Sequence, residues 1–415
     1  MKNKSQIFHV DKLANGITLV GEELTTASSA AFSILVPFGA AYDPAGKDGA
    51  ATLLIEMLHK GTENWDAKEI SNKFEELGVQ KGYSPGVEAS SFFGASLSDS
   101  LIQALKIYSE VILRPSFNAN ELENVRSLSI NELKSLEEEP ASKVMVELSK
   151  VHFPFPFGRS PLGTFDGVAA VNLDLLKTYY KKDVVPDQTI ISVAGRFNWQ
   201  ELKSAVTQYF SSWQGTKSKL LDPEPVKKSS NSHINFDSKQ LQIALAYPSV
   251  SVDHPDYYVA RVIVNILSGG MAGRLFIEVR EKLGLVYRVS ASHYSARKRA
   301  AIIIYAGTTP ENSKQTLEVI LGELNKLKNG VSDDELSRAK IDLKSRLIMG
   351  SELTTSRAGA LASDWWNIKR LRTLEEIKSG IDAVTNHDIV RHIEEFPPKT
   401  VTLVTLGSKQ LELVP

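Results

Sequence analysis

Residues 267 to 287 read Leu-Ser-Gly-Gly-Met-Ala-Gly-Arg-Leu-Phe-Ile-Glu-Val-Arg-Glu-Lys-Leu-Gly-Leu-Val-Tyr and set a guanidinium, Arg280, seven positions before a phenol, Tyr287. A guanidinium can clamp a peptide carbonyl, and a phenol can donate to the oxyanion of a tetrahedral intermediate. Both stabilise developing negative charge without holding a metal. Taken singly, each has a plainer reading: Arg280 as the surface partner of a neighbouring glutamate, Tyr287 as a strand aromatic. The glycines upstream, Gly269 and Gly270 first among them, either permit a tight helix exit or bring backbone close to an extended peptide. No strand followed by a phosphate-binding loop surrounds them.

A second segment, 51 to 62, reads Ala-Thr-Leu-Leu-Ile-Glu-Met-Leu-His-Lys-Gly-Thr. Helical spacing over 48–59 puts Ala50, Leu53, Leu54, Met57 and Leu58 on one apolar stripe facing a core. Thr52, Ile55, Glu56 and His59 fall on another face. A catalytic zinc site needs about three protein ligands, usually including imidazole, with an open position for water and a carboxylate near that water. Thr52 offers a neutral hydroxyl, and Ile55 can neither take nor give a proton. Glu56 and His59 also read plainly as ordinary helix residues. Elsewhere, His387 and His392 lie five apart, about 140° around a helix, and share no ligand face. Thr385-Asn386-His387-Asp388 reads as a capping box. Glu137-Glu138-Glu139-Pro140 reads as a solvated helix tip, and adjacent Trp365 and Trp366 must point in different directions.

The elements that position these groups follow from length and pattern. At 415 residues the chain suits two domains of about 200 residues each. With 48 basic and 49 acidic residues, it carries no surplus positive charge for a nucleic-acid surface. Having no cysteine, it has no disulfide, thiolate ligand or thiol nucleophile. No run approaches the roughly 20 apolar residues of a membrane span, and the basic start Met1 to Phe8 leads into no apolar stretch of signal-peptide length. A cytoplasmic location is expected, or a periplasmic one if a signal peptide was trimmed.

Two related halves are expected. Phe117-Asn118-Ala119-Asn120-Glu121-Leu122 opens a charged helix in the first, and Val331-Ser332-Asp333-Asp334-Glu335-Leu336 opens its counterpart in the second. Strand candidates at Ala31 to Pro37 and Leu241 to Tyr247 each precede an amphipathic helix. Each half closes on a β-rich run ending in glycine, at Gly195 and Gly407. This is a duplication of about 214 residues. The expected division is 1–213, an exposed linker at 214–232 rich in Lys, Ser, Pro and Gly, and 233–415. Grouped strands and long helices favour an α+β fold, with helices packed on a largely antiparallel sheet in each domain.

The 51–62 segment, with its His59-Lys60-Gly61-Thr62 ending, and the whole of 267–287 resemble the signatures of the pitrilysin/insulinase family of zinc metallopeptidases. Phe8 to Gly16, Pro154 to Thr164 and Tyr179 to Gln188 extend the resemblance over essentially the whole chain, and the size is that of the two-domain, processing-peptidase-like branch. The resemblance implies one half of a metalloendopeptidase (LuxS-like) clamshell. It also implies that Thr52, Ile55 and Glu56 occupy the three positions of the inverted motif H-x-x-E-H, that His59 takes the place of the usual Phe, and that Glu132 is the distal glutamate ligand. Glu56 and Glu132 alone, two carboxylates without imidazole, would suit a hard cation better than zinc.

By the same resemblance Arg280 and Tyr287 reach toward substrate. A chain with a degenerate metal motif and an intact Arg/Tyr motif would be the non-catalytic subunit of a heterodimeric zinc endopeptidase, inactive alone. It would hold no cofactor of its own. Zinc would sit in a homologous partner carrying H-x-x-E-H, unfolded peptides or small proteins would bind along Gly269, Gly270, Arg280 and Tyr287, and a homodimer stays open. Two other readings stay open: an inert scaffold of the same fold, and a divergent metalloendopeptidase with displaced ligands.

Overall fold

The computed structural model describes residues 6–226 and 228–413; Met1 to Ser5 of the basic start Met1 to Phe8, Lys227 in the linker, and Val414 and Pro415 lie outside the described residues. The first half runs β1 (Ile7–Lys12), β2 (Thr18–Glu23), β3 (Ser29–Val36), α1 (Ala50–Leu58), α2 (Ala67–Glu76), β4 (Gln80–Ser84), β5 (Ser90–Leu97) and α3 (Leu101–Leu113). It continues with α4 (Ala119–Glu138), α5 (Pro140–His152), α6 (Phe165–Ala169), α7 (Leu173–Asp183), β6 (Ile190–Gly195) and α8 (Trp199–Phe210). The second half runs β7 (Ser230–Asn235), β8 (Leu241–Pro248), α9 (Tyr257–Ser268), a π-helical stretch Phe276–Lys282, β9 (Val286–Ala296) and β10 (Arg299–Thr308). After these come α10 (Ser313–Lys326), α11 (Asp333–Ser351), α12 (Thr354–Ile368), α13 (Leu374–Ala383), α14 (Asn386–Glu395) and β11 (Thr402–Gly407).

The strands form two sheets, ordered β1-β2-β6-β3-β5-β4 and β7-β11-β8-β10-β9. In each, one pair is parallel, β2 with β6 and β7 with β11, and the remaining pairs are antiparallel. Leaving out β1, the two orders are the same, so the duplicated sequence folds twice into one topology. The fold is α+β with helices against both sheets. Alternation along β3 shows why both faces are covered: Ala30, Phe32, Ile34 and Val36 enter one apolar cluster with α1 and α3, while Ala31 and Leu35 enter another.

The chain divides into two units. One comprises Met1–Ser135, Arg159–Leu221 and Gly350–Leu371, and the other Leu136–Gly158, Asp222–Met349 and Arg372–Pro415. Contiguous domains over 1–213 and 233–415 differ from these units at two helices. Helix α12 covers the first sheet, where Ala358, Leu361, Ala362 and Trp366 pack on Val20, Ala31, Ile190 and Ala194. Helix α5 covers the second, where Val144 and Leu148 pack on Ala244, Ala246, Val404 and Leu406. Each sequence half therefore supplies the helix that closes the far face of the other half's sheet.

Polar anchors fix both helices. Arg357 on α12 pairs with Glu22 on β2, its Nε 2.6 Å from Glu22 Oε2, with both side chains at most 5% exposed. The Ser192 hydroxyl donates to the Ala358 carbonyl at 2.8 Å. On α5, His152 Nδ1 lies 3.0 Å from Thr402 Oγ1. The expected linker is not exposed throughout. Lys217 is only 6% exposed, its ammonium pairing with Asp183 at 2.5 Å and lying 3.9 Å from the Tyr42 ring; a buried carboxylate recruits it from an otherwise polar segment. Trp366 is buried and Trp365 only partly so, and the Thr385 capping box forms. No helix among the described residues is long and apolar enough to cross a membrane.

Candidate functional site

Helix α1 carries the first group of residues. Its N-terminus is held by the Asp43 carboxylate, which accepts from the amides of Gly49 and Ala51 at 2.8 Å each. On the face of the helix away from the core stripe, Thr52 is 5% exposed and Ile55 fully buried. Apolar packing thus reaches around to the face that would carry ligands. The Thr52 hydroxyl donates to the Pro161 carbonyl.

Glu56, in the last turn, is half-buried and accepts a hydrogen bond from the Tyr83 hydroxyl at 2.7 Å. Burial raises its carboxyl above the usual range, Tyr83 and Lys60 oppose that rise, and Glu132 adds to it. Glu132, exposed on α4, is therefore close enough to Glu56 for the two negative charges to interact. His59 caps the helix. Its Nδ1 lies 2.9 Å from the Ile55 carbonyl, and its ring stacks on Tyr83 with centroids 4.1 Å apart. Burial pushes this imidazole down to about 4. Tyr83 was not singled out from sequence. It stands on β4, a five-residue edge strand, and only its pairing opposite Phe92 on β5 turns it toward Glu56.

Zinc does not fit these residues. One motif position is aliphatic, one is a hydroxyl already given to a carbonyl, and the remaining carboxylate is bonded to a phenol. Among the described residues no group of three or more His, Cys, Asp or Glu is placed to hold a metal ion.

The second group lies in the other unit. Gly269 caps α9, and a Cβ there would meet the Asn265 carbonyl oxygen at 2.5 Å. Gly270 has φ +87°, a conformation side-chain-bearing residues rarely adopt. The turn leads through Arg274 into the π-helical stretch that bears Arg280; such wide turns are rare and recur at functional sites. Arg280 is exposed, its guanidinium 5.0 Å from the Phe276 ring, and Tyr287 is 66% exposed near the start of edge strand β9. Among the described residues neither the Arg280 guanidinium nor the Tyr287 hydroxyl has a hydrogen-bond partner, and the pairing of Arg280 with a neighbouring glutamate is not formed. Arg274 and Glu335, which hold this turn, were also missed. Ser332-x-x-Glu335 is legible as a capping signal, but nothing local links it to Arg274.

Sequence models of two families match the chain: "Insulinase (Peptidase family M16)" over residues 18–160 and "Peptidase M16 inactive domain" over residues 170–343. An uncharacterized zinc protease of Rickettsia felis is 25% identical over 97% of this chain and 98% of its own length. Another, of Bacillus subtilis, is 28% identical over 89% of this chain and 91% of its own length. Among solved structures, a peptidase M16 inactive domain from Pseudomonas fluorescens superposes with TM-score 0.89 at 24% identity, covering 98% of this chain and 100% of that one. A protease from Helicobacter pylori gives TM-score 0.89 at 21% identity over 97% and 99%. At these identities the two structures speak for the fold alone.

Proposed function

This chain belongs to peptidase family M16, and from that premise we propose that it is a non-catalytic subunit of a zinc-dependent endopeptidase, working with a homologous chain that carries H-x-x-E-H. The observation that carries this reading is an asymmetry between the two groups. The α1 positions that would bind metal and activate water are Thr52, Ile55 and a Tyr83-bonded Glu56. The two side chains able to stabilise an oxyanion, Arg280 and Tyr287, are solvent-exposed with their polar atoms unengaged.

In this role the chain binds unfolded peptide as an added strand, which an edge such as β9 can accept through its backbone. Tyr287 then stands beside the new strand, and Arg280 is carried on the element that leads into it. A guanidinium orients a carbonyl, and a phenol donates to the oxygen as it becomes negative. No proton is abstracted by this chain, because position 55 holds no base. Zinc belongs to the partner.

Peptide hydrolysis and zinc content, measured on this chain alone and mixed with the homologue carrying the intact motif, test the reading. Hydrolysis is expected only in the mixture, falling by about 10²-fold or more in kcat with Arg280→Ala or Tyr287→Phe. Zinc-dependent activity from the pure chain, abolished by Glu56→Ala, would overturn it. An unchanged rate with both variants would leave this chain a scaffold.

A further inference from the structure

The segment bearing Arg280 is held by buried apolar residues and backbone hydrogen bonds where it leaves, and by a glycine-rich turn with one ion pair where it enters. On leaving, the Gly284 amide donates to the Arg280 carbonyl at 3.1 Å and the Leu285 amide to the Val279 carbonyl at 3.0 Å. The Leu285 carbonyl accepts from Thr308 Oγ1 at 2.6 Å, and Val279, Leu285 and Val286 are buried. On entry the chain passes Gly269-Gly270-Met271-Ala272-Gly273, with Met271 78% exposed. Of its three glycines, Gly269 and Gly273 are closely packed against the end of α9, and Gly270 takes φ +87°.

The turn is closed by the Gly273 amide donating to the Gly270 carbonyl at 3.1 Å and by buried Leu275, and one side-chain contact ties it to a separate helix. The Arg274 guanidinium grips both oxygens of Glu335, Nε to Oε1 at 2.5 Å and an Nη to Oε2 at 3.0 Å. Glu335 is itself held in the first turn of α11, accepting from the Ser332 amide and from the Ser332 hydroxyl at 2.9 Å each. The two-point fork fixes an orientation as well as a distance, which a lysine ammonium cannot do. Its side chains are only 16% and 21% exposed, so the pair is largely shielded from water, and the Arg274 guanidinium holds the Glu335 carboxyl down to about 2. What it determines is the direction in which the next turn sets out.

We propose that Arg274 and Glu335 are a positioning pair that aims Arg280 at bound peptide, with the first turn of α11 as the fixed mount. This rests on the reading that Arg280 meets the peptide.

The test is a double-mutant cycle on the full chain, reading the affinity for fluorescein-labelled β-casein, an unfolded polypeptide, by anisotropy. Arg280→Ala and Arg274→Lys are each expected to weaken binding by about tenfold, the loss of roughly one charge-assisted hydrogen-bond pair. In the Arg280→Ala background, Arg274→Lys should add nothing, and Glu335→Gln should behave as Arg274→Lys does. Thermal midpoints should stay within about 2 °C of the parent. Losses that multiply, wild-type affinity in Arg274→Lys, or a large fall in midpoint accompanying the loss would each make the fork merely structural and overturn the proposal while leaving the role of Arg280 intact. No casein binding by the parent chain, or full binding by Arg280→Ala, would remove the underlying reading and this proposal with it.

Discussion

The Tyr83 hydroxyl donates to Glu56 Oε2 at 2.7 Å, so the carboxylate at the second histidine position of the family motif is engaged by a phenol from a neighbouring edge strand. The same ring stacks on His59, so one aromatic ties together both polar residues of the last α1 turn.

Removing the acceptor should cost more than removing the charge. Glu56→Ala strands a half-buried hydroxyl and is expected to destabilise by about 1–2 kcal/mol, whereas Glu56→Gln keeps an acceptor and should cost less. Because the folded carboxyl titrates above its unfolded value, its contribution is full below the ordinary carboxylate range and is lost as pH rises through the raised folded value. Urea denaturation at acidic and neutral pH should show Glu56→Gln gaining on the parent as pH rises.

Acid should charge three buried imidazoles at the expense of the fold, offset in part by Asp43, whose carboxyl burial raises to about 7. His59, His152 and His293 are each pushed down to about 4 by burial, against about 6.5 in an unfolded chain. Between those values only the unfolded state takes up protons, so stability present above about pH 6.5 is lost as pH falls towards 4, by up to about 3 kcal/mol per histidine. His59→Phe keeps a ring against Tyr83 and Phe92 and should remove the share of that loss due to His59. Thermal midpoints between pH 7 and 4 measure it.

Breaking the buried pair beneath α12 should be severe. Arg357→Ala leaves Glu22, 1% exposed, without its counter-charge and is expected to cost about 3–5 kcal/mol. The double replacement Arg357→Met with Glu22→Leu should recover most of it, because neither ion is then buried. Equilibrium unfolding of the three proteins decides; an Arg357→Ala variant as stable as the parent would mean that solvent reaches Glu22.

Cutting the chain at its apparent midpoint should give no folded half. Residues 1–213 lack α12 and 214–415 lack α5, so each leaves one apolar sheet face uncovered. Each half is expected to bind a hydrophobic dye and aggregate alone, and the two to form a soluble complex when co-expressed. A monomeric, cooperatively unfolding fragment 1–213 would contradict the exchange.

Sequence made the local features legible. The repeat showed because the openings of α4 and α11 and the glycine-ended strands β6 and β11 recur in the same order, and the Thr385 capping box showed because its signal spans four residues. Hidden features depend on partners far along the chain. Arg357 meets Glu22 across 335 positions, Lys217 meets Asp183 across 34, and Arg274 meets Glu335 across 61. Composition marked the segment around Lys217 as polar and could not register that a buried carboxylate awaited it. Tyr83 escaped notice because Gln80–Ser84 is short and polar enough to read as loop.

The exchange of α5 and α12 also constrains how the protein emerges from the ribosome. All six strands of the first sheet have been made by Gly195, yet the helix that closes its far face is complete only at Ile368. At roughly 5–20 residues per second, that interval leaves Val20, Ala31, Ile190 and Ala194 uncovered for roughly 10–35 s on every nascent chain. Vectorial synthesis thus imposes an interval in which the first sheet exists with one apolar face unclosed, and the chain between positions 195 and 368 sets its length.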